Sequence, residues 1–148
     1  MKIELSKKEY RNLLDLLAIS EWVLNANAVG GDNPEALKYK KVEQKLLSYA
    51  KHHDCEDLIE YDVKLKEYFP TRIYEESEYR KFIDEYEEDT FWDELVSRLS
   101  HRDLLREVGE IEYKEMAFEE RFIRQERVEE KYNIEFEKNG LKNLKLEE

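Results

Sequence analysis

One cysteine, two prolines and four glycines are all that the chain carries in 148 residues, and each scarcity closes off a class of protein. A single thiol forms no internal disulfide, so nothing calls for an oxidising compartment and a cytoplasmic setting is expected. With so few turn-forming residues, an all-β fold of many hairpins is disfavoured and long helices are favoured. No apolar run approaches the roughly eighteen residues of a membrane-crossing helix. The opening MKIELSKKEYRNLL also lacks the basic-then-apolar order of a secretory leader. Positive charge is scarce as well: 25 Lys and Arg stand against 37 Asp and Glu, a net of −12. Phosphate contacts need clustered cations that release counterions, so general nucleic-acid binding is not expected.

What the chain does contain is enough to build a core. Charged residues make up 42%, but hydrophobic residues make up 41% and include ten tyrosines, six phenylalanines and two tryptophans. That apolar content can offset the chain entropy that would otherwise leave so charged a sequence disordered. The expectation is a single helical domain over residues 1–148. Its class is mainly α, an orthogonal bundle of about five to seven helices. The short apolar strips KIEL and LKNLKL near the two ends also allow a two-stranded pairing of the termini.

Helix boundaries follow from local chemistry. SKKE at Ser6 to Glu9 is a capping box, and a helix is predicted from there to about residue 27. It carries apolar residues on more than one face, as a central helix does. Trp22 near its end reads as core, with a ligand-pocket wall or partner contact as the alternative. Asn33 before Pro34 predicts a second start, with helix to about His53. A short turn of helix is expected around Leu58 and Ile59, then an aromatic-rich connection, EYFPTRIY, with helix resuming near Glu76. Continuing the face of Trp92, Leu95, Val96 and Leu99 would turn Arg102, Asp103 and Arg106 inward, so a break is predicted at Ser100, with Gly109 stopping the second piece. The longest helix is expected from about Phe118 to Lys138. Acid-to-base pairs four apart, such as Glu76 and Arg80 or Glu94 and Arg98, add local support.

Several chemistries fail on spacing. A di-iron bundle needs Glu-x-x-His, but Tyr49, Ala50 and Arg98 stand three residues before His52, His53 and His101. The carboxylate pairs of a helical pyrophosphohydrolase are incomplete, since no aspartate follows a glutamate by three. Zincin and phosphate-loop motifs are missing too. One stretch remains, SYAKHHDCEDLIEYD. His53 and Asp54 spell the His-Asp pair of a large helical phosphohydrolase family. That likeness implies a divalent-metal ligand pair at His53 and Asp54; the metal-site candidates from the sequence are His52, His53 and Asp54, with His101 and Asp103 from a neighbouring helix as further ones. The competing reading is a helix end, where histidines meet the partial negative charge of the helix terminus and Asp54 serves as a cap.

The segment from Glu75 to Glu94 holds ten acids against Arg80 and Lys81, a net of −8. It reads either as a solvated helical face or as a docking surface for a basic protein partner, with Glu85, Glu87, Glu88, Asp89 and Trp92 as the candidate contacts. EYRNLLDLLAISEWVLNA, FWDELVSRLSHRDL and EERF together resemble a group of small uncharacterised prokaryotic proteins of comparable length, a likeness that implies one intact helical domain and no activity. The resulting expectation is a protein-interaction module or small regulatory subunit that needs no cofactor and engages a protein partner or a second copy of itself. A metal-dependent hydrolase around His52, His53 and Asp54 is the alternative.

Overall fold

The computed structural model describes residues 3–29 and 33–145. Six α-helices and one two-stranded antiparallel sheet lie among these residues, so the fold is mainly helical. The helices are α1 (Lys7–Asn25), α2 (Leu37–Leu47), α3 (Arg72–Glu75), α4 (Arg80–Val108), α5 (Glu110–Glu115) and α6 (Phe118–Asn139). The strands are β1 (Ile59–Asp62) and β2 (Glu67–Pro70). None of the described helices is long and apolar enough to cross a membrane. The chain divides into two compact units, Met1–Glu85 and Tyr86–Glu148. The sequence reading of one domain over residues 1–148 contains no such boundary. Linkers are recognised by Pro, Gly and polar clusters, whereas this division falls inside α4.

In the first unit, α1 begins where the capping box predicts. The Ser6 hydroxyl accepts the Glu9 N–H at 3.3 Å, and the Glu9 carboxylate accepts the Ser6 N–H at 2.8 Å. The Ser6 hydroxyl also donates to Glu9 Oε2 at 2.6 Å, and this bond, followed by that from the Ser6 N–H, holds the Glu9 carboxyl below its ordinary range. Tyr10 and Leu14, one helical turn apart, then face a core that includes Leu47, Cys55, Ile59 and Tyr74. Tyr10 also donates its hydroxyl to the Leu46 carbonyl at 2.8 Å, tying α1 to the end of α2. Tyr74 donates to Asp15 Oδ1 at 3.0 Å.

The second helix is shorter than its pattern suggested at both ends. Asn33 accepts the Glu35 N–H at 3.0 Å as a cap would, but its amide also donates to the Leu24 carbonyl at 3.1 Å. It therefore clasps the end of α1 and caps a turn, and α2 proper starts at Leu37. Beyond Leu47 the chain tightens into a 3₁₀ turn, Ala50–His53, closed by Asp54 in the left-handed conformation (φ 49°).

The strand pair occurs, but not at the termini. Residues 3–5 and 141–145 form no strand, and Lys2 and Leu146 lie outside the described residues. Instead β1 and β2 occupy the stretch read as a turn of helix and an aromatic connection, in the register Ile59 to Pro70 and Tyr61 to Tyr68. Asp62 Oδ1 accepts the N–H groups of Lys64 at 2.7 Å and Leu65 at 2.9 Å, and Lys66 adopts φ 58°; together they turn the hairpin without glycine. With the hairpin in place, the chain restarts as α3 and then α4. Glu76 pairs with Arg72 and Arg80 with Asp84, so the predicted Glu76 to Arg80 pair does not form.

In the second unit, α4 continues unbroken through Ser100. Val96, Ser100 and Leu104 form a buried stripe at four-residue spacing, and Ser100 is tolerated there because its hydroxyl donates to the Val96 carbonyl at 2.7 Å. The Gln125 amide of α6 donates to that same hydroxyl at 2.6 Å. The predicted break rested on the register of the Trp92 to Leu99 face and overlooked that an unbroken helix can satisfy a buried Ser100 internally. Gly109, at φ 81°, stops α4 as expected. α6 matches its predicted span, while the 29 residues of α4 make it longer than the 22 of α6. The Glu94 to Arg98, Glu110 to Lys114 and Glu120 to Arg124 pairs all form.

Burial, followed by the influence of Cys55, pushes the Tyr10 hydroxyl up to about 12 from its ordinary 10.0. Burial, then Asp15, raises Tyr74 as well. Both groups favour the protonated state when folded. Their stabilisation is complete below pH 10.0 and is lost as pH rises through the folded value. Urea midpoints followed by circular dichroism should fall between pH 10 and about 12, and the fall should be shallower in Tyr74→Phe.

Candidate interaction groove

The first unit has a concave face. The C-terminal half of α1, α2, β2 and the start of α4 enclose a groove of about 1080 Å³. Its walls include Trp22, Leu37, Tyr39, Val42 and Phe69. α2 carries more apolar residues than the core accepts. Leu47 is buried, but Leu37 remains 50% exposed, Tyr39 49% and Val42 57%. Trp22 is half-buried: it packs against the core cluster, as its first sequence reading expects, and also lines the groove.

The groove floor is held by one amide. Gln44 donates through Nε2 to the Tyr68 carbonyl at 2.9 Å and accepts the Tyr68 N–H at Oε1, 2.7 Å. In an antiparallel strand a residue's N–H and C=O point the same way, so Tyr68 turns both from β1 toward α2. Tyr61 and Tyr68 are then a non-hydrogen-bonded pair, and their rings approach to 4.8 Å between centroids. The open side of β2 is thereby closed at its centre, and Pro70 beyond it has no N–H to offer.

Charges on the groove are unevenly compensated. Lys40 pairs with Glu67 at 3.1 Å, and Arg80 with Asp84 at 3.5 Å. Glu21 accepts a neutral amide N–H from Asn25 at 2.9 Å. Among the described residues, no cation forms an ion pair with Glu21 or Glu75. Tyr79, on the same wall, is raised above its ordinary value. Burial is the largest cause; Arg80 opposes it, and Glu75, Asp15 and Glu21 reinforce it.

The site residues anticipated from sequence lie elsewhere. His52 and His53 end the 3₁₀ turn, and Asp54 closes it with its N–H directed at the Ala50 and Lys51 carbonyls. The His53 ring stacks on Tyr10 at 4.3 Å and 11°, while His52 tilts against Tyr49. In the second unit His101 meets Tyr113 edge-on. Asp103 accepts from Arg102 at 2.8 Å and from the Tyr132 hydroxyl, and the Arg102 hydrogen bond is the main reason its carboxyl lies below the usual range. No group of three or more His, Cys, Asp or Glu among the described residues is arranged to hold a metal ion.

Glu85, Glu87, Glu88 and Asp89 are exposed along α4. Trp92 is half-buried, donates Nε1–H to Glu88 at 2.6 Å and packs against Phe91 and Phe136. Sequence reasoning did not single out Leu37, Tyr39 or Phe69. The available signal was the apolar excess of α2, spread more widely than one buried stripe requires.

No protein-family model, curated protein or solved structure matches the chain.

Gln44→Ala strands the Tyr68 N–H and carbonyl beneath α2. The expected cost is about 1–3 kcal/mol of unfolding free energy, read as a lower urea midpoint at unchanged slope.

Proposed function

We propose that the protein is an interaction module or small regulatory subunit whose docking site is the groove of the first unit. The observation that carries this reading is the apolar wall of Leu37, Tyr39 and Val42, left half-exposed beside Trp22. Covering these three side chains would contribute about 2–4 kcal/mol, enough to matter in a reversible complex. The exposed acids Glu85, Glu87, Glu88 and Asp89 support a basic partner, because a concentrated negative field speeds encounter with positive surfaces more than it adds to final affinity. A second copy of the chain is the other occupant consistent with this reading. The single, buried Cys55 suits a cytoplasmic setting. The hydrolase alternative at His52, His53 and Asp54 gains no support from geometry, since stacking on Tyr10 and the turn-closing backbone of Asp54 account for their placement.

The test is photocrosslinking in living cells from a benzophenone side chain placed at Tyr39, with the same group at Glu130 on α6 as the control. A discrete adduct from position 39 alone is expected. Identical patterns from the two positions would sink the groove reading.

A further inference from the structure

We propose that the groove receives a basic amphipathic helix of a partner protein, about three turns long, with its apolar face on α2 and its Lys or Arg side chains toward Glu21 and Glu75. This deepens the interaction-module reading and rests on it. Three observations select that occupant. The first is the backbone at the groove floor. A peptide joining the sheet as a new strand needs an open row of N–H and C=O groups, but Gln44 already engages both groups of Tyr68, and Pro70 lacks an N–H. Recognition at this face must therefore go through side chains, and a helix presents apolar side chains in a row without asking for backbone partners. The second is length. The eleven residues of α2 extend roughly 16 Å at 1.5 Å per residue, which matches about three turns of a helix laid alongside.

The third observation is charge. Of the groove's cations, Lys40 is paired with Glu67 and Arg80 with Asp84. Glu21 and Glu75 form no ion pair among the described residues, and both raise Tyr79 on the same wall. An acidic or neutral helix would leave these carboxylates uncompensated as it excluded water from them. A basic helix supplies the missing partners.

The test uses three fluorescent 18-residue peptides that share one leucine face and differ in the opposite face, which is lysine, glutamine or glutamate. Binding to the full chain is followed by anisotropy. The lysine peptide should bind about tenfold more tightly than the glutamine peptide at low salt, the gain expected of two partly exposed ion pairs. In the E21Q/E75Q double variant this preference should fall to about twofold. In E126Q/E130Q, which removes the same net charge from exposed positions of α6, it should persist. Val42→Asp, at an exposed wall position, should weaken all three peptides by about tenfold or more.

Equal loss of preference in the two glutamine variants would overturn the proposal, because attraction would then come from overall charge alone. If all three peptides bind equally and Val42→Asp abolishes binding, the basic helix is overturned while the apolar groove stands. Binding of no peptide, or binding indifferent to Val42→Asp, would remove the groove reading itself. A dimer in native mass spectrometry that Val42→Asp converts to monomer would replace the partner helix with a second copy.

Discussion

The two hydrogen bonds that Gln44 exchanges with the Tyr68 backbone set where α2 stands against the hairpin, and the groove of the first unit follows from that placement. A side-chain amide is one of the few groups able to satisfy a peptide N–H and a C=O together, as a neighbouring strand would. It allows a helix to close a sheet edge without burying polar backbone. With α2 held at this distance, Leu47 reaches the core while Leu37, Tyr39 and Val42 line open space. Hydrogen bonding at one point of the helix thus decides the exposure of its apolar residues elsewhere.

Where local chemistry alone determines structure, the sequence was readable. The capping box at Ser6, the stop at Gly109 and the span of α6 all depend on residues within a turn of one another. The hairpin was missed because its turn is made by Asp62 and Lys66 and contains none of the usual glycine punctuation. The continuity of α4 was missed for a different reason: Ser100 has two satisfactory partners, an N-terminal amide in a cap or the Val96 carbonyl in an unbroken helix. Only the Gln125 amide from α6, 25 residues on, makes the second choice complete. The groove lay further out of reach. Whether an apolar residue of α2 is core or wall depends on how far α2 stands from β2, which Gln44 sets from 24 residues away from its partner.

Electrostatics divides the chain between local structure and long-range field. Many described ion pairs are i,i+4 contacts, and others, such as Arg11 to Asp57 at 2.8 Å, join exposed side chains distant in sequence; each is a minor contributor to stability. The excess of carboxylates over cations cannot be absorbed by such pairs, so a negative potential persists around the molecule at low salt and fades over about 10 Å at 0.1 M. Within the His52 to Cys55 stretch, by contrast, the arrangement is one of packing. His53 stacks on Tyr10, Asp54 closes a left-handed turn and the adjacent Cys55 sulfur is buried.

That sulfur gives the molecule an internal clock. Cys55 is the chain's only thiol and has no solvent-accessible surface, lying behind Tyr10 and Leu14 in the core of the first unit. An alkylating reagent can reach it only after the surrounding packing separates. The pace of its modification therefore counts openings of the packing around it, without any added label.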